Sequence, residues 1–440
     1  MKGNRRGVSL GTILTLALTA AVILGCAFLL IRIQGGTPGA PMSAQRAFDL
    51  VGGALQGGTP EPEPQATVRT VTVTLAPVPV PSLATPAPAT AAPVKEVRDV
   101  ACTFTVTVGG LMGFESEISD SVYDKAAKRF DFSQLFSLLR SKVDGDLTLA
   151  MLPQVINAAD QKYGDHLAPQ AAASGIWGAG FDYVLLNSSH ALDQGIDGVN
   201  QTVSVLTQQG FTCLGVTSGS ATQHRMIQLN GAHIALLAYT DSLTAKGRIA
   251  RDSQPQVAAL FDLRTAARDI ADMRAQGADF VAVALNWAKS DTTGVTTAMK
   301  QTAYALAEAG ADLILGYHPK RVLPMETISV PDENGVQRQC LICYSMGTLL
   351  TESREPYDIS GMLLNLRVTC KGGQVHFESI QYTPTYIWRK SVKGKMQYRV
   401  LCSADPAPEG MDAKQKEIMA RALKRVSNIL KDGPAYQREQ

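Results

Sequence analysis

Net charge is almost absent from this chain: 41 Lys and Arg stand against 39 Asp and Glu, a formal +2 over 440 residues. Nucleic-acid-binding proteins usually carry a strongly basic face, so we expect no nucleic-acid partner. Cysteine is also sparse. Seven are scattered along the sequence, and Cys340 to Cys343 is the one C-x-x-C. A zinc ribbon needs a second such pair, so that class is excluded. Redox C-x-x-C motifs open a helix, whereas Cys340-Leu341-Ile342-Cys343-Tyr344 reads as a buried strand. Packing cysteines are the expectation there. Apart from Cys26 in the apolar leader, six cysteines remain, a number that permits disulfides without requiring them.

Charge is missing altogether from Gly7 to Ile31, a run of mostly Leu, Ala, Val, Ile and Thr. At about 1.5 Å per helical residue it crosses a hydrocarbon core of about 30 Å. Lys2, Arg5 and Arg6 precede it, so the positive-inside rule puts residues 1–6 in the cytoplasm and the rest outside. Two alternatives are a cleaved signal peptide ending near Gly39-Ala40 and a lipoprotein modified at Cys26. The run stays apolar through Ala27-Phe28-Leu29-Leu30-Ile31, which favours an uncleaved anchor over 7–33. Residues 34–98 form a linker: half of the chain's 22 prolines lie between Pro38 and Pro93. Such a segment is extended and buries too little apolar surface to fold alone.

From residue 99 the pattern changes. Short apolar runs at Thr103–Val108, Leu147–Leu152, Tyr183–Leu186, Ile234–Tyr239, Phe280–Leu285, Leu313–Gly316 and Leu341–Tyr344 predict strands. Amphipathic stretches at Asp197–Gln209, Leu263–Gln276 and Thr297–Ala309 predict helices, each stopped by a glycine (Gly210, Gly277, Gly310). Met362–Val368 and Gln374–Tyr382 read as a hairpin across Lys371-Gly372-Gly373. The alternation argues for α/β layering with mixed sheets. A basic helix over Met411–Leu430 belongs to a C-terminal extension, 391–440, beyond a domain of 99–390.

Read in order, the strand ends resemble one family. Gly180-Phe181-Asp182-Tyr183-Val184-Leu185-Leu186-Asn187-Ser188-Ser189-His190-Ala191-Leu192-Asp193-Gln194-Gly195 is similar to the F-D-x-V-x-x-A-N-N-H-x-L-D-x-G signature of the CapA capsule-synthesis proteins. Gly310-Ala311-Asp312-Leu313-Ile314-Leu315-Gly316-Tyr317-His318-Pro319-Lys320 resembles G-A-D-x-V-I-G-H-H-P-H, with Glu326 at the glutamate of Q-P-x-E. Tyr344-Ser345-Met346-Gly347-Thr348-Leu349 resembles Y-S-L-G-N-F. Fainter echoes of G-D-x-M, A-N-L-E and H-W-G lie at Gly109–Met112, Ala150–Pro153 and Asn286-Trp287-Ala288. The resemblance covers about residues 100–390. It implies a metallophosphoesterase-like αββα sandwich, two mixed sheets flanked by helices, and a part in poly-γ-glutamate capsule or cell-envelope polymer production.

Such phosphoesterases clamp a phosphoryl group between two metal ions, held by oxygen and nitrogen donors. At the positions the resemblance assigns to those donors, this chain has Gly110, Pro153, Ser188, Ser189, Asn286, Tyr317, Lys320 and Thr348. His190 and His318 remain, and they are the candidate catalytic or residual metal-binding residues. No metal or other cofactor is expected; the alternative is a divalent Mn, Fe or Zn serving a hydrolase. Asp193, Tyr317, His318, Lys320, Arg321 and Glu326 are the candidate binding residues. Asp193 could instead cap the following helix or bond a loop. His166, outside the family motifs, is either a replacement ligand or a solvated loop residue. The expected partners are the membrane, an anionic polymer such as poly-γ-glutamate, and other capsule-synthesis membrane proteins. The expected location is a bacterial plasma membrane, with the folded domain outside.

Overall fold

Alternating apolar runs and amphipathic stretches become four layers. The computed structural model describes residues 100–157, 163–164, 166–332 and 335–437. The expected anchor and linker lie outside them. Among the described residues no helix is long and apolar enough to cross a membrane.

One sheet has nine strands. Its main path runs Lys395–Cys402, Gln374–Val392, Ser360–Lys371, Cys102–Met112, Leu147–Met151, Tyr183–Leu185, Thr212–Leu214. Thr348–Leu350 lies beside Cys102–Met112, and Tyr436–Gln437 beside Gln374–Val392. The second sheet, of six strands, runs Met325–Pro331, Gln337–Cys343, Leu313–Tyr317, Phe280–Asn286, Ala232–Thr240, His224–Leu229. Both are mixed. The second is parallel at its centre and antiparallel at its two edges. The first, along its main path, is antiparallel on one side of Cys102–Met112 and parallel on the other, out to the Thr212–Leu214 edge.

Strand periodicity sorts the side chains into layers. Phe104, Val106 and Val108 meet Ala282, Ala284, Leu313 and Leu315 between the sheets. Neighbours Leu236 and Leu237 face opposite ways, one into that central core and one toward the outer helices. Val199, Val203 and Leu206 of Gly195–Gln208 pack on the outer face of the first sheet. Ala266 and Ile270 of Leu263–Ala275, with Met299, Ala303 and Leu306 of Thr297–Glu308, cover the second. Each buried Leu, Ile or Phe contributes roughly 1.5–3 kcal/mol. The predicted stops hold: Gly210, Gly277 and Gly310 take φ of +99°, +95° and +121°. Asp262 and Thr296 cap the starts, accepting from the amides of Thr265 and Met299.

The strand Gln374–Val392 runs past residue 390, Lys395–Cys402 pairs with it, and Ala413–Leu430 packs on the same sheet through Met419, Ala422, Val426 and Leu430. The segment from 391 is thus built into the nine-stranded sheet. Cys340 and Cys343 are fully buried on one strand. They are three residues apart and so face opposite cores.

The chain passes from the second sheet to the first along Tyr344–Thr348, threading between them. Met346 N–H donates to Gly316 O at 2.9 Å on one side, and Leu111 N–H donates to Gly347 O at 3.0 Å on the other. A Cβ at residue 316 would overlap the Tyr344 carbonyl, and one at residue 110 would overlap that of Gly347. Gly316→Ala is therefore expected to cost about 3 kcal/mol or prevent folding. Gly178→Ala, in an exposed helical position with no neighbour near the new methyl, should be neutral or stabilising by up to about 1 kcal/mol. Denaturant midpoints of the two variants check this.

Candidate functional site

Parallel strands in both sheets end on one side of the molecule, and the residues just beyond those ends line a cleft of about 200 Å³. Glu115 follows Cys102–Met112, Pro153 and Gln154 follow Leu147–Met151, and Ser188 to His190 follow Tyr183–Leu185. From the other sheet come Asn286, Ser290, His318 and Lys320, while Thr348, Leu350 and Thr351 complete the lining. Ligands of α/β sheets bind at carboxyl ends of strands for this reason: loops there converge without interrupting the ladder.

His190 and His318 both line this cleft. His190 Nδ1 lies 2.6 Å from Asp193 Oδ2, which fixes the ring and leaves Nε2 as its remaining polar atom. The second Asp193 oxygen accepts from the Thr244 hydroxyl. Asp193 does not cap the helix Gly195–Gln208, whose N-cap is Gln194 with no side-chain cap. It bonds His190 on one side and the loop residue Thr244 on the other. The ring of His166 stacks on that of His190, centroids 3.7 Å apart and 7° from parallel.

His318 sits across the cleft with φ +92°, and Ala288 takes φ +60°. They bond each other, His318 Nδ1 to Ala288 O at 2.8 Å. Left-handed backbone at such residues costs roughly 1–3 kcal/mol each, and here the pairing of the two holds the imidazole at the cleft wall. Burial lowers the pKa of His318 below the ordinary histidine value; the bond to Ala288 works the other way, more weakly.

Glu115 and Gln154 carry no motif, and sequence reasoning did not single them out. Burial raises the Glu115 pKa above the ordinary carboxylate value. That outweighs hydrogen bonds from the Glu352 amide at 2.5 Å and the Thr351 hydroxyl at 2.9 Å. Gln154 accepts from the Phe114 amide at 2.6 Å. Their one sequence signal was position, just past the ends of strands whose neighbours also end in polar residues.

Lys320 is exposed at the cleft. Three other candidate binding residues lie elsewhere. Tyr317 is the last residue of its strand and points inward; it is fully buried between the sheets, its hydroxyl donating to Gly109 O at 3.3 Å. Arg321 lays its guanidinium over the Tyr357 ring at 4.7 Å, and Glu326 accepts from the Tyr344 hydroxyl. Trp287 is core, donating to Tyr344 O at 3.1 Å.

The donor set does not fit a pair of metal ions. Glycine and proline at 110 and 153 offer no side-chain donor. Ser188 already donates to Pro153 O at 3.1 Å and Thr348 to Lys320 O at 2.8 Å. His166, His190 and Asp193 do bring ligand atoms within 4.8 Å of one another. However, the rings of His166 and His190 are stacked and nearly parallel, so their in-plane lone pairs do not converge on one ion, and this group does not supply a pair of ions.

A family model described as "Bacterial capsule synthesis protein PGA_cap" matches residues 105–353. The chain belongs to this family. It is 27% identical over 253 residues to the PGA biosynthesis protein CapA of Bacillus subtilis (strain 168), covering 56% of this chain and 59% of that one. The Capsule biosynthesis protein CapA of Bacillus anthracis is 26% identical over 176 residues, covering 39% of this chain and 40% of the relative. The chain thus spans three fifths or less of these relatives. Among solved structures, the Haemophilus influenzae NAD nucleotidase NadN gives a TM-score of 0.40 at 12% identity, over 78% of this chain and 65% of that one. The calcineurin-like phosphoesterase YfkN of Bacillus subtilis gives 0.36 at 12%, over 75% and 98%.

His318 yields a pH prediction. Its folded pKa is lowered, so between the ordinary histidine value and the folded one the unfolded chain binds the extra proton and stability falls as pH falls. His318→Gln removes that loss. Denaturant midpoints from pH 7 to 5 should therefore drop less in the variant than in the parent protein; an equal or steeper drop would count against a buried neutral imidazole.

Proposed function

We propose that this PGA_cap family member serves poly-γ-glutamate capsule or related envelope polymer production as a binding protein rather than a hydrolase. It is held outside a bacterial plasma membrane by the anchor over 7–33, and its fold is metallophosphoesterase-like. The observation that carries the binding reading is the cleft's polar set: Lys320 at the mouth, imidazoles of His166, His190 and His318 on the walls, and one carboxyl, Glu115, whose charge burial disfavours. That environment suits a carboxylate. A poly-γ-glutamate chain offers one per residue. The volume of about 200 Å³ is below the roughly 300–1,000 Å³ of pockets that enclose drug-sized ligands. It suits a chain end or a single unit better than a long stretch, and capsule-synthesis membrane proteins are the natural suppliers of such a chain.

A second reading keeps a hydrolase. It draws on the Asp193–His190 pair, a geometry that holds a proton on Nδ1 and frees Nε2 for proton transfer. It also draws on the raised Glu115 pKa as a second acid–base group. It predicts phosphoesterase turnover that falls in His190→Ala and His318→Ala, together with stoichiometric Mn, Fe or Zn by elemental analysis if the metal-dependent form holds.

The binding reading predicts affinity of the full chain for poly-γ-glutamate that weakens with salt. Lys320→Glu should reduce it about tenfold, near 1.4 kcal/mol. Undetectable affinity at low salt would sink that reading.

A further inference from the structure

We infer that Cys102 and Cys370 form a cross-strand disulfide when the protein meets an oxidising thiol buffer. The two residues are direct partners in the antiparallel ladder between Cys102–Met112 and Ser360–Lys371. Opposed residues in such ladders have Cα atoms about 4.5 or 5.5 Å apart, inside the roughly 4.4–6.8 Å that a disulfide spans. Both side chains lie on the face that packs into the inter-sheet core. Side chains meet directly at this end of the ladder: on the opposite face the next pair, Thr103 and Thr369, bond hydroxyl to hydroxyl at 2.7 Å. The other described cysteines have no such partner. Cys213 opposes Val184, Cys340 opposes Ile328, Cys343 opposes Met325, and Cys402 opposes Thr385. Both thiols of the pair are free in this structure.

Their environments set the order of events. Cys102 is partly exposed, whereas Cys370 is 5% exposed and burial pushes its thiol pKa up to about 12. Cys102, as thiolate, attacks a low-molecular-weight disulfide such as oxidised glutathione, breaking its S–S bond and releasing one thiol. Cys370 then gives up its proton and attacks the Cys102 sulfur, displacing the second thiol. Two protein thiols lose two electrons and one glutathione disulfide gains them. The bond joins the first strand of the sheet to its neighbour, at the strand end that continues into the residues before Val100. Opening of the sheet from that end then requires breaking a covalent link. Such bonds persist in oxidising compartments and not in reducing ones.

The test uses the full chain, purified under reductant and equilibrated with oxidised glutathione, then alkylated under denaturing conditions and mapped by mass spectrometry. The expected result is a linked Cys102–Cys370 peptide and a thermal midpoint raised by roughly 3–8 °C. Cys102→Ser, a change at the more exposed member, should abolish both while its reduced midpoint stays near the parent's. Recovery of Cys102 as a glutathione adduct with Cys370 still alkylatable, full alkylation of both, or linkage to another cysteine would overturn the inference.

Discussion

The close crossing of Tyr344–Thr348 between the two sheets is the constraint on which the rest depends. Two backbone hydrogen bonds, one to each sheet, fix the separation of the sheets at their carboxyl ends. The approach leaves no room for a Cβ at Gly110 or Gly316, so each sheet meets the crossing segment backbone to backbone there. Elsewhere between them, interdigitated side chains set the spacing. The cleft opens beside this point, and Thr348, Leu350 and Thr351, at and just past the crossing, are part of its lining. The segment that pins the sheets together thus leads directly into part of the cleft lining.

A second tie reinforces the first. Asn187, just past its strand in the first sheet, donates from Nδ2 to Tyr239 O at 2.7 Å and Ala284 O at 3.3 Å in the second. Deeper in the second sheet, Asp312 has no exposure and lies between Arg274 at 2.5 Å and Arg338 at 3.1 Å, while accepting from the Val281 amide at 2.8 Å. A buried carboxylate so paired costs roughly 3–5 kcal/mol to strand by removing a partner. Asp312 belongs to a family-like motif, yet its work is to fix the start of the strand that delivers His318. Motif residues here divide into those that face the cleft and those that position the strands carrying them.

The central strands and the long helices were legible because their signals are strong and local. Continuous apolar runs mark strands covered on both faces, and a glycine past an amphipathic stretch marks a left-handed helix stop. The edges were not. His224–Leu229 and Lys395–Cys402 mix polar and apolar residues because one side is wet. Even so, Asn230-Gly231 between the first of these and Ala232–Thr240 is a hairpin signal. His190, His318 and Lys320 were legible as cleft residues because they end parallel strands in a recognisable order. Tyr317 was misplaced by one step of the pleat: adjacent strand residues face opposite ways, and the last residue of this strand turns inward while the next reaches the cleft. Glu115 and Gln154 stayed hidden because loops carry no periodicity, and only the assembled fold brings them to the same wall.

On the reading proposed, the cleft is held in shape without an ion. In a metal centre the ion cross-links the loops that supply its ligands. Here the residues at the resembling positions do the linking themselves: Ser188 joins its loop to Pro153, Thr348 joins the crossing segment to Lys320, and Asn286 donates to the Thr240 hydroxyl of the neighbouring strand at 3.0 Å. Each such bond contributes about 1 kcal/mol net, modest alone but directed between separate strand ends. Gly110 completes the exchange, since the space a side chain would claim there is taken by the crossing backbone that pins the sheets. An aspartate placed at 110 alone would therefore clash with that crossing before it supplied a ligand. The loops between the sheets would have to move together to make room for a ligand there.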